Sequence, residues 1–156
     1  MQERLGQGSG WTRIVEVREP SGLHEIADVI HDCDFHLEGI DHDRRARTVT
    51  VPYDREVPGR AEAFATAPFV RRVRVPTFRW YLSFFGVTDC RIDDTERVGI
   101  YNFNVVTYDE ARNVLTIRSN IPLTFELHVD AVHVAVDATD EVVRTRNTLA
   151  LSSRWR

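Results

Sequence analysis

Gly22–His36, GLHEIADVIHDCDFH, is the one stretch with a clear helical period in a chain otherwise patterned for strands. Leu23, Ile26, Ala27 and Ile30 recur at helical spacing and form one apolar stripe. Such a stripe must be covered, and with β-patterned segments on either side the cover is a sheet. The expected fold class is therefore α+β and mainly β. It has a largely antiparallel sheet, as a sandwich or an open or closed barrel, with this principal amphipathic helix near the N-terminus. Ser21 is the expected N-cap, because its hydroxyl can accept from a first-turn amide.

Upstream, Trp11–Glu19 reads as a strand with Trp11, Arg13, Val15 and Val17 on one side, closed by Pro20. Downstream, IDHDRRARTVTV at 40–51 aligns with VTYDEARNVLTI at 106–117, an offset of 66 residues. Both segments place an Asp (Asp43, Asp109) at the start of a polar turn and a β-branched strand after it, which predicts two similar hairpins. Residues 55–68, with Pro58 and Gly59, suit a loop or a short helix. Phe69–Val75 and Thr77–Val87 are β-rich and separated by Pro76. The carboxylates of Asp93–Glu96 mark a turn, and Val98–Thr107 with Val114–Arg118 forms the second hairpin.

In Ile121–Val136 the apolar positions are odd up to Val129 and even from Val132, so either a bulge near Asp130 or two separate strands is required. The expected organisation is a flexible leader at 1–10, a single β-rich domain at 11–137, and a C-terminal tail or short docking helix at 138–156. Leu149, Leu151 and Trp155 would be the docking residues of that tail.

A chain of 156 residues can bury roughly 70% of its unfolded surface as one domain. The net charge of -4 gives no general attraction to nucleic acid or anionic lipid. All 20 basic residues are Arg, which points to compositional bias and lowers the weight of any single one. Cys33 and Cys90 stand far apart without a metal-type or disulfide-dense spacing, and no signal-like or membrane-length apolar run occurs. A soluble, cytoplasmic protein is the expectation.

Candidate chemistry gathers around the helix. His24, Asp28 and His31 share a flank and are, by type, a two-histidine, one-carboxylate set suited to a divalent transition metal. His24 and His31, however, lie roughly 10 Å apart along the axis. A compact site would instead join His31 and Asp28 to His36, His42 or Asp43. Cys33 on the edge of the stripe reads as a small buried hydrophobe, with His36 as the neighbour an activated thiol would need. Glu126, His128 and Asp130 alternate along one strand face, as the wet side of a sheet does. Arg72, Arg74 and Arg79 within FVRRVRVPTFRWY match single-strand nucleic-acid platforms in composition, but pairing with Asp or Glu across strands explains them better. Phosphate-binding loops, nucleophile elbows and zinc-protease motifs are absent from the sequence.

The expected function is accordingly a non-catalytic binding or assembly module, with no resident cofactor. The expected partner is a protein, first of all a second copy joined through an uncovered strand edge, rather than nucleic acid or membrane. Aromatic residues at 80–85 and 101–103 suit both a core and a partner surface. The alternatives are a metal-binding protein or metalloenzyme using His24, Asp28, His31, His36 and His42, and a carrier holding an apolar small ligand between sheet and helix.

Overall fold

The structure, a computed structural model, describes residues 10–66 and 70–151. In chain order the main elements begin with β1 (Thr12–Val17), α1 (Leu23–Ile30), β2 (Asp34–His36), β3 (Asp41–Asp43) and β4 (Thr48–Glu56). β5 (Glu62–Thr66), β6 (Val70–Phe85), β7 (Val87–Asp93) and β8 (Ile100–Asn102) follow. β9 (Val105–Asp109), β10 (Val114–Arg118), β11 (Thr124–Val129) and β12 (Val134–Leu151) complete the chain.

The strands form two antiparallel sheets that do not close into a barrel. One has the order β1-β12-β6-β4-β2-β8, with β3 added beside β4 and β5 beside β6; the other has the order β7-β11-β10-β9. Val49, Val51, Leu82, Phe84, Val134 and Val136 from the first sheet meet Leu115, Ile117, Phe125 and Leu127 from the second in a common core. Alternate residues of each strand supply that core, which is why the wet residues between them are tolerated. α1 packs against β1, β9 and β12 and adds Leu23, Ile26 and Ile30 to the core.

The offset of 66 residues is carried by the backbone itself. Ala46 N donates to Asp43 Oδ1 (2.8 Å), and Arg112 N donates to Asp109 Oδ1 (3.2 Å). Arg47 (φ 57°) and Asn113 (φ 53°) both take the left-handed conformation that ends this turn. Their carbonyls accept from Val87 N (2.9 Å) and Val129 N (3.0 Å), respectively. β2 pairs with β8 so that Phe35 lies opposite Tyr101, its own counterpart 66 residues later. Leu37 N to Gly99 O and Phe103 N to Cys33 O, each 3.0 Å, are likewise one bond repeated.

The body is thus two similar halves about an approximate two-fold axis. Each half places a hairpin and a third strand in one sheet (β3-β4-β6, β9-β10-β11) and sends its fourth strand, β7 or β12, into the other sheet. The two crossings lie side by side: Phe85 N donates to His133 O (3.0 Å) and Asp130 N to Gly86 O (3.1 Å). Gly86, at φ 68°, supplies the left-handed residue that this reversal needs.

Several expectations change. The helix ends at Ile30, well short of His36, and Asp32 (φ 59°) breaks it while donating its amide to Phe103 O (2.9 Å). Ser21 lies in a 3-10 turn, Pro20–Gly22, and Gly22 occupies the cap position without a side-chain bond. A bulge between Arg13 and Val15 reverses the faces of β1. Val15 and Val17 pack inward, while Arg13 turns outward to Asp137 (2.7 Å).

Pro76 does not divide two runs; β6 passes through it, since an edge-like position there asks nothing of the missing N–H, and its carbonyl accepts from Val57 N (3.1 Å). Residues 55–68 include the end of β4, the turn Pro58–Arg60 and β5. The phase change at Asp130 separates two strands in different sheets. Ile100–Asn102 is a strand of the larger sheet and not part of the second hairpin. Residues 138–151 are neither tail nor helix but the long continuation of β12. All of the expected leader at 1–10 except Gly10, and Trp155, lie outside the described residues.

Candidate functional site

Where the two halves differ, the chain builds an arm. The link from β10 to β11 is short, whereas that from β4 to β6 contains Pro58–Arg60, β5 and the first half of β6. β4 accompanies β6 from Thr48↔Phe85 only as far as Glu56↔Thr77. Beyond that point β6 runs on to Val70 between β5, paired through Glu62↔Arg74, and the distal half of β12, paired out to Leu151↔Val70. The arm is therefore three-stranded.

Its root is braced. Thr139 Oγ1 donates to Arg79 O (2.5 Å), and the Arg60 guanidinium meets Asp140 (2.9 Å) and lies 4.5 Å over the Phe78 ring. Arg146 forms two bonds with Glu56 (2.6 and 3.0 Å), tying β12 to the end of β4. This pairing holds the Glu56 carboxyl below its ordinary range.

β1 flanks β12 only from Val134 to Ala138. From Glu141 to Leu151, about ten residues or roughly 33 Å of backbone, no described strand pairs with β12 on that side. The register shifts between Val142, opposite Phe78, and Arg144, opposite Thr77, leaving Val143 as an extra residue. That bulge brings Val142 onto the face shared by Thr145, Asn147 and Leu149, whose partners on β6 are Pro76, Arg74 and Arg72. Val142 is 52% exposed and Leu149 67%, the two most exposed large apolar residues described. The alternation in EVVRTRNTLAL, free of Gly and Pro, is the signal that identifies this strand.

The residues expected to carry metal chemistry are dispersed. His24 Nδ1 bonds to Ser21 O (2.8 Å), Asp28 is exposed on α1, and His31 Nδ1 lies 3.1 Å from Asp32. His36 points outward from β2, on either side of which lie Tyr53 and Tyr101 opposite Phe35. His42 lines a surface cleft of about 270 Å3 with Arg44, Arg47, Val87, Thr88 and Asp89. Asp43 caps its own turn. Among the described residues, no three His, Cys, Asp or Glu side chains come close enough to hold one ion.

Cys33 and Cys90 are both free and half-buried. Burial pushes the Cys33 thiol up, against the opposing Arg55 guanidinium, and does the same at Cys90. Neither is an activated nucleophile by that measure. Arg55 also donates to Val29 O at the end of α1 and lies 4.9 Å over Trp80. The adjacent Tyr53 hydroxyl is buried without a hydrogen-bond partner among the described residues, and burial raises its pKa strongly.

Glu126 and His128 face outward from β11, and Asp130 beyond its end pairs with Arg47. Of the arginines in 69–81, Arg79 pairs with Asp54 (2.9 Å) as expected. Arg74 instead lies over Phe64 (4.6 Å), although Glu62 is opposite it in register.

On the outer face of the larger sheet, Glu16 of β1 receives His133 (2.7 Å), Arg13 (2.9 Å) and Arg18 (2.9 Å). The hydrogen bond to His133 is the main cause of its lowered pKa. A lowered carboxylate pKa contributes stability above the ordinary value of 4.5 that is lost as pH falls through the lower folded value. Glu16→Gln is therefore expected to lower Tm slightly at pH 7 and to match the parent chain once both are fully protonated. A Tm difference that grew on acidification would contradict this.

Comparisons with protein families, with curated proteins and with solved structures find no match to this chain, so geometry alone carries its functional reading.

Proposed function

We propose that this chain is a non-catalytic assembly module that joins other protein through the free edge of its arm. The supporting observation is the distal half of β12, a braced strand with exposed Val142 and Leu149 and one side that no described strand pairs. A bare edge is a template for another strand unless it is short, covered or interrupted, and although this one carries a bulge at Val143 and the charges of Arg144 and Arg146, the bulge gathers its apolar side chains on one face. This edge is long, contains no Pro, and extends from an insertion that the two-fold body does not require. Backbone pairing supplies the attraction, and the alternating side chains supply selectivity.

Sedimentation velocity over a concentration series tests the reading. The expected result is an average mass that rises from 18.0 kDa with concentration. A mass constant at that value from micromolar to near-millimolar protein would overturn assembly between copies.

A further inference from the structure

The distal edge of β12 is self-complementary, and we infer that its partner is the same edge of a second copy, paired antiparallel about a two-fold axis through Arg146. This rests on the assembly reading and specifies its register. Opposed residues of an antiparallel pair lie on the same face, so the faces of β12 restrict which residues can meet. Val142 and Leu149 lie opposite Phe78 and Phe78's sixth residue upstream, Arg72; midway between them on β6 is Val75, the partner of Arg146.

Rotation about Arg146 then sets Val142 against Leu149 of the second copy, Arg144 against Thr148, and Thr145 against Asn147, each pair occurring twice. The two most exposed apolar side chains cover each other on one face. Without the bulge at Val143 they would fall on opposite faces and could not meet. On the other face Arg146 approaches its own copy, a contact that would repel if the guanidinium were free. Both of its bonds to Glu56 make it part of a neutral pair instead. A contact of this kind closes on itself as a dimer, the commonest symmetry of soluble assemblies, and converts two eight-stranded sheets into one.

The register is tested by cross-linking the 156-residue chain carrying Cys33→Ser and Cys90→Ser. Under a mild oxidant such as oxidised glutathione, Val142→Cys together with Leu149→Cys is expected to give mostly disulfide-linked dimer, because opposed residues satisfy disulfide geometry. Each substitution alone should give at least tenfold less, and mixing the two single variants should restore the product. Thr145→Cys with Asn147→Cys provides a second pair in the same register if the first perturbs association. Sedimentation of each variant before oxidation separates the two levels of the proposal. A rising mass without cross-linking by either pair overturns the register and leaves assembly standing. A mass that stays at 18.0 kDa in the parent chain overturns both.

Discussion

Phe35→Ala is expected to destabilise the fold by about 3–5 kcal/mol, the usual cost of removing a fully buried ring. Phe35 is completely buried on β2, at the strand pair through which the approximate two-fold axis passes. Its ring stacks on Phe103 (centroids 4.3 Å), tilts against Tyr101 (6.1 Å) and meets Phe125 edge-on (6.3 Å). Phe125 comes from the smaller sheet, so the cavity left by alanine would open between the two layers. Side chains from two sheets cannot both move in to fill it, which places the cost at the upper end of the range. For a chain of this size the corresponding fall in Tm is roughly 6–20 °C. Phe35→Leu, which keeps most of the volume, should cost less than half as much. Equilibrium denaturation measures both, and a loss below about 1 kcal/mol for the alanine variant would mean that the sheets do not meet at this ring.

Ile26→Asp is expected to be at least as severe. Ile26 is fully buried at the centre of the α1 stripe. The substitution removes apolar contacts and places a carboxylate within the apolar core cluster, so a cost of about 4 kcal/mol or more is expected. Such a carboxyl escapes part of its cost by staying protonated, and the deficit against the parent chain should shrink as pH falls from 7 towards 4. Asp28→Ala, an exposed change on the same helix, should stay within about 0.5 kcal/mol. Equal effects from the two variants would contradict the docking of this face.

Period and turn chemistry made much of this fold legible. The stripe of Leu23, Ile26 and Ile30 announced both the helix and the layer it covers, and Asp43 and Asp109 announced two hairpins that prove to share bonds as well as residues. What local pattern does not contain is long-range pairing. The bulge in β1 is imposed by β12, and the end of α1 at Ile30 is reinforced by a bond from Asp32 to distant Phe103.

The site was less legible than the fold. Histidines spaced on a helix drew attention to His24 and His31, which the structure gives separate local partners. Leu149 stood out only as a docking residue of the expected tail, whereas it is exposed on β12, and Val142 gave no signal, because their shared face depends on one extra residue at Val143 and on the register of β6. A polar composition after Asp137 suggested a tail, yet the alternating Val and Thr residues there were already those of a strand.

Amide hydrogen exchange along β12 at several protein concentrations tests the central claim most directly. Val134–Ala138 lie between β1 and β6, so their protection is expected to be high and independent of concentration. The outward amides of Glu141–Leu151 should exchange rapidly in dilute protein and become protected as concentration rises. Protection of the whole of β12 that is uniform and unchanged by dilution would show the edge to be covered within a single chain and would contradict the account.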